Sequence, residues 1–112
     1  MIKQIINEFR RINGRHPAKM DNHEENQNCL WHCLYMAKIK EICHAPEHYL
    51  NGKCEAVAVR GFFHNPIDTL HMIIFEQFAN SPEHRDIILF NDNLACAFYI
   101  EQYQVFLTVR GW

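Results

Sequence analysis

Apolar residues recur at helical spacing from the start of the chain: Ile2, Ile5, Ile6, Phe9 and Ile12 fall on one face, and Asn13-Gly14 supplies a stop. The pattern predicts a short amphipathic helix over 2–12. His16-Pro17 cannot continue it, because proline lacks an N–H and biases the preceding residue toward extended geometry. A second, longer helix follows, capped by Asp21 or Asn22, with Glu24 and Glu25 in the first turn where negative charge complements the helix dipole. Its apolar stripe is Leu30, Cys33, Leu34 and Ala37, widened by Cys29, Trp31, Met36 and Ile39, and the pattern carries it to about Ile42.

Residues 45–52 read as irregular and close on a turn before a short apolar strand over 55–59. Asn65-Pro66 opens the next helix, whose buried face is Leu70, Ile73, Ile74 and Phe78, and Ser81-Pro82 ends it. A brief helical turn over 83–89 precedes two β-rich segments, 94–100 and 103–109, joined at Glu101-Gln102 by a tight hairpin. Helices first, then a strand, another helix and a terminal hairpin describe an α+β domain rather than alternating β-α-β units.

The 112 residues suffice for one compact domain, and 48% hydrophobic residues give it a globular rather than a disordered profile. Eleven basic against thirteen acidic side chains leave a formal charge of −2, so nothing draws the protein toward nucleic acid or anionic membranes. No stretch reaches the roughly 20 apolar residues of a membrane-spanning helix. The charged, amphipathic start does not read as a signal peptide, so the expected location is cytoplasmic as written, or secreted if an export signal has been trimmed. Five cysteines cannot all pair within one chain and are expected to be buried core thiols.

Five features in order resemble the CAP superfamily (cysteine-rich secretory proteins, antigen 5, pathogenesis-related 1), and especially its compact bacterial branch. Asn7, Arg10, Gly14 and Pro17 are similar to the family's opening N-x-x-R-x-x-x-G-x-x-P pattern. His32-Cys33-Leu34-Tyr35-Met36-Ala37 resembles H-S-x-x-M-A, and His44 falls where a helix-terminal histidine belongs. Gly52-Lys53-Cys54-Glu55-Ala56-Val57-Ala58 looks like a one-residue expansion of G-E-N-I-A, and the run from Phe78 through Ser81-Pro82-Glu83-His84-Arg85 to Leu89 is close to W-x-N-S-P-G-H-R-x-N-I-L. Glu25 stands where the family usually has leucine. The resemblance spans essentially all of residues 1–112 and implies a single CAP-like domain, a three-layer α-β-α sandwich around a central antiparallel sheet.

The resemblance also implies a central cleft lined by His44, Glu55 and His84. Two imidazoles and a carboxylate suit Zn2+ or another divalent cation with a fourth position left to water. The same three residues could instead form a hydrogen-bonded polar cluster. Ser81, three residues before His84, invites a hydrolase reading with Glu55 as the third member, although a serine before Pro82 is also what a turn requires. Cys29, Cys33 and Cys43-His44 could be a mixed zinc site or core thiols, and Arg85 is expected to pair with a nearby acidic group. The expected function is a non-enzymatic binding domain, with no catalytic residues, whose cleft takes a metal ion, an unidentified small ligand or a segment of a partner protein. Its rival is a metal-dependent or Ser/His hydrolase in the same cleft.

Overall fold

The computed structural model describes residues 1–62 and 64–112. Helix α1 (Ile2–Ile12) buries Ile2, Ile5, Ile6 and Phe9, the predicted face apart from Ile12, and each such side chain contributes about 1.5–3 kcal/mol on burial. Arg10 is buried with them. Its guanidinium donates to the carbonyls of His16 (2.8 Å), Ile88 (2.6 Å) and Asn91 (2.8 Å), tying α1 to the loop after it and to the end of a distant helix. A cation is favoured there because the last carbonyls of a helix have no partners within it.

Helix α2 (His23–Ile39) is capped by Asn22, whose side-chain oxygen accepts the Glu25 N–H at 3.0 Å. It stops at Ile39, short of the expected end. Lys40 turns left-handed (φ 57°), and the N–H groups of Lys40 and Glu41 both return to the Met36 carbonyl, a closure that needs no glycine. The buried face is Cys29, His32, Cys33, Met36 and Ala37, whereas Trp31 and Leu34 of the expected stripe stay exposed.

The segment expected to be irregular contains one helical turn, α3 (Glu47–Leu50), ended by Asn51 and Gly52 in left-handed conformations. Strand β1 (Cys54–Gly61) is longer than its apolar run. Helix α4 (Pro66–Met72) is capped by the Asn65 side chain and widens into a π-helical segment, Ile73–Phe78. Helix α5 (Pro82–Leu89) and strands β2 (Leu94–Glu101) and β3 (Gln104–Gly111) complete the chain. Glu101 pairs with Gln104, so the hairpin corner is Gln102-Tyr103, one residue later than expected. Both corner residues have positive φ (48° and 62°), as the twist of a two-residue hairpin demands.

The sheet order is β1-β3-β2, and both pairings are antiparallel. Side chains alternate across it. One face presents Ala56, Ala58, Leu94, Cys96, Val105, Leu107 and Val109 to the apolar sides of α1, α4, the π segment and α5. The opposite face places Val57 and Phe106 against Cys33, Met36 and Ala37 of α2. The result is the expected three-layer α-β-α arrangement. Among the described residues, no helix is long and apolar enough to cross a membrane.

Candidate functional site

The α2 face of the sheet is not uniformly apolar. Glu55 shares that face with Val57, and antiparallel register sets Arg110 of β3 directly across from it. Both are almost fully buried, at 6% and 2% exposure. Glu55 Oε2 accepts from Arg110 Nε at 3.0 Å, while Oε1 accepts from the Ala45 N–H at 2.9 Å and from His44 Nδ1 at 3.0 Å. Arg110 Nη1 donates to Glu25 Oε1 at 2.9 Å, and the other Glu25 oxygen takes the Asn28 amide at 3.3 Å with Lys53 Nζ 3.9 Å away. Burial opposes the charge on Arg110, but the hydrogen bonds from Glu25 and Glu55 outweigh it and raise the pKa, so the guanidinium stays ionised. Glu25 is therefore the second carboxylate paired with this buried arginine.

His32 of α2 closes the same cluster. Its Nε2 lies 2.6 Å from the Cys43 carbonyl and 3.9 Å from Glu55 Oε1. A carbonyl cannot donate, so Nε2 carries a proton, and Nδ1 is the acceptor when the ring is neutral. His44, by contrast, is 60% exposed at its side chain while its partner Glu55 is buried. Above the cluster lies a groove of about 830 Å3, walled by Trp31, Tyr35 and Ile39 of α2 and by Tyr49 of α3, with His32, His44 and Arg110 at its polar end. Trp31, Tyr35 and Tyr49 are 60%, 54% and 65% exposed.

His84 makes a separate set of contacts. At the start of α5 its Nδ1 meets Ser81 Oγ at 2.8 Å, and its ring stacks on Phe78 with centroids 4.7 Å apart and planes 12° from parallel. Burial lowers its pKa below the ordinary histidine value, and His44 pushes the same way against the pull of Glu83. His84 thus senses His44 electrostatically, yet no hydrogen bond joins it to His44 or Glu55 among the described residues. Of the expected set, the fold joins His44 to Glu55 and leaves His84 with Ser81. The Ser81–His84 pair also lacks its carboxylate, because Glu55 is committed to His44, Ala45 and Arg110. Arg85 approaches Asp86 at 3.7 Å, in line with its expected acidic partner.

The donors do not fit a metal ion as they stand. Both oxygens of Glu55 are occupied by hydrogen-bond donors, and no group of three His, Cys, Asp or Glu side chains among the described residues is arranged to hold a cation. The same holds for Cys29, Cys33 and Cys43 with His44. Cys29, Cys33 and Cys96 are buried thiols as expected, and burial raises the pKa of Cys33 and of Cys96 to about 11. Cys33 also sits 3.2 Å from Thr108 Oγ1 on β3. Cys54 is exposed and Cys43 half-buried, which corrects the expectation for those two: Cys54 opens an edge strand and Cys43 lies in the loop beside the groove.

Arg110, Glu25 and His32 were not singled out as site residues from the sequence. The available signal was the alternation Phe106, Thr108, Arg110. A charged residue in phase with a buried face implies a buried counter-charge.

The layering is that of an α+β domain with helices on both faces of an antiparallel sheet and a buried His/Glu cluster on one of them. Among solved structures, a cysteine-rich secretory protein from Staphylococcus aureus superposes with a TM-score of 0.50 at 16% identity, over 99% of this chain and 37% of that one. The likeness shows the fold, and the chain spans little more than a third of that relative's length. No family model and no curated protein matches the sequence.

Proposed function

We infer that the domain is a non-catalytic binding module whose groove on the α2 side takes a small molecule with a flat apolar body. The observation that carries this reading is the clustering of Trp31, Tyr35 and Tyr49, each more than half exposed, around one concavity above a charge cluster. Isolated exposed aromatics are ordinary, but several around one groove offer flat apolar walls with polar edges, the composition of small-molecule sites. The volume of about 830 Å3 falls within the range of about 300–1,000 Å3 occupied by such sites.

The charge cluster beneath supports binding over turnover. Its carboxylate is held by three donors from three segments, which favours a rigid, pre-organised floor over a general base that must exchange protons. The nearest thiol, Cys43, has a pKa raised by burial and by Glu41 and Glu55, the opposite of an activated nucleophile. The hydrolase alternative needs a carboxylate hydrogen-bonded to His84, and among the described residues none is; Glu83 acts on the ring only through its charge.

An uncharged solvatochromic dye, Nile red, tests the reading. Its emission should rise and shift to the blue with the wild-type protein, and the Trp31→Ala, Tyr49→Ala double variant should lose at least about half of the enhancement, given the area two such rings supply. An unchanged response in the double variant, with folding confirmed by circular dichroism, contradicts it.

A further inference from the structure

We propose that the groove selects an aromatic molecule bearing an uncharged amide, and discriminates against the corresponding carboxylate, because Arg110 offers it a hydrogen-bond donor without a net positive charge. The proposal rests on the reading of the groove as a ligand site and adds the chemistry of its polar end.

Arginine at the bottom of a pocket ordinarily suggests a carboxylate or phosphate ligand. Here that inference reverses. Two of the guanidinium nitrogens are already engaged, Nε with Glu55 and Nη1 with Glu25, and Lys53 stands 3.9 Å from Glu25. The four ionised groups cancel in pairs. An incoming carboxylate would sit beside two existing ones with no uncompensated cation to receive it, and like charges in a partly desolvated site repel strongly.

What remains is hydrogen-bonding capacity. Nη2 of Arg110 has no partner among the described residues, although Arg110 is 98% buried by its 2% exposure and lines the groove. The one sealed side-chain polar atom without a partner among the described residues is Arg15 Nε, so the unpartnered Nη2 keeps contact with solvent, and Arg110 lines the groove. A second unpartnered atom accompanies it. With its proton on Nε2, neutral His32 has a free acceptor at Nδ1, and it too lines the groove. One donor and one acceptor at the same end of an aromatic-walled groove match the C=O and N–H of an amide. A carboxylate matches only the donor. A molecule lacking both groups leaves a buried guanidinium nitrogen to water, which costs affinity.

The test compares 2-naphthamide with 2-naphthoate, which share one ring system, by titration followed in two-dimensional NMR at low salt and pH 8. The proposal expects the amide to bind at least about fivefold more tightly, the order of a like-charge contact screened as in bulk water. It also expects the Arg110 side-chain resonances to shift with the amide. Arg110→Lys, which keeps the charge but has no Nη2 and cannot reproduce the forked contacts to Glu55 and Glu25, should weaken 2-naphthamide by about tenfold and naphthalene by less. Equal affinity, or tighter binding of 2-naphthoate, overturns the head-group assignment while leaving the groove as a ligand site. Failure of naphthalene, amide and acid alike to bind overturns both. A blocked aromatic tetrapeptide binding more tightly than 2-naphthamide would make the occupant a chain segment and overturn the small-molecule proposal. The wild-type comparison decides even if the lysine variant does not fold.

Discussion

Glu55 concentrates the chemistry of the α2 face, since its two oxygens hold a backbone N–H, an exposed imidazole and a buried guanidinium from three separate segments. Glutamine in its place could not satisfy them. Whichever way its amide turned, the NH2 would face Arg110 Nε–H or the Ala45 N–H, donor against donor. Glu55→Gln should therefore destabilise the fold by about 3 kcal/mol, the usual cost of removing one member of a buried ion pair. Urea unfolding measures it, and a loss under about 1 kcal/mol would show that Glu25 alone satisfies the guanidinium. Sequence motifs brought out His44 and Glu55 because each sits in a local pattern. Arg110 and Glu25 lie at opposite ends of the chain and meet only through the register Glu55↔Arg110, which no local pattern encodes. His84 differs: its motif is clear, but its hydrogen bond and its ring stack go to Ser81 and Phe78, nearby in sequence, and not to Glu55.

Elements were legible where a single period dominates. Helix α1 ends where its apolar spacing and Asn13-Gly14 say it should, and α5 fills the expected segment. The discrepancies arise where backbone geometry departs from its preferred residues. Lys40 ends α2 in a left-handed conformation that ordinarily favours glycine or asparagine, so the sequence carries no stop signal there. Gln102 and Tyr103 likewise occupy positive φ in the hairpin without the Asn-Gly that marks such turns. Each left-handed non-glycine residue costs about 1–2 kcal/mol, part of it offset at Tyr103 by the ring contact with Phe62 at 6.1 Å. Replacing the pair by Gln102→Asn and Tyr103→Gly should raise stability by about 1 kcal/mol in denaturant unfolding, after allowing for that lost contact. A fall in stability would mean that the Tyr103 contact outweighs the backbone relief.

Across the whole molecule the sheet divides the labour between its faces. The side covered by α1, α4, the π segment and α5 is apolar and accounts for most of the buried core. The α2 side has a smaller core, with the rest of its surface given to the Glu25, Arg110, Glu55 and His44 cluster and to the groove above. Composition favoured one compact domain but could not reveal this split, because buried charges and exposed ones count alike in a net charge of −2.

The central claim is that the ligand site lies on the α2 side and not at the Ser81–His84 turn, and shift mapping with 2-naphthol, a neutral aromatic probe, tests it most directly. Backbone and side-chain resonances should move at Trp31, His32, Tyr35, Tyr49 and Arg110 and stay fixed at Ser81, His84 and along α1. Shifts centred on Ser81 and His84, with the Trp31 indole unmoved, would contradict it.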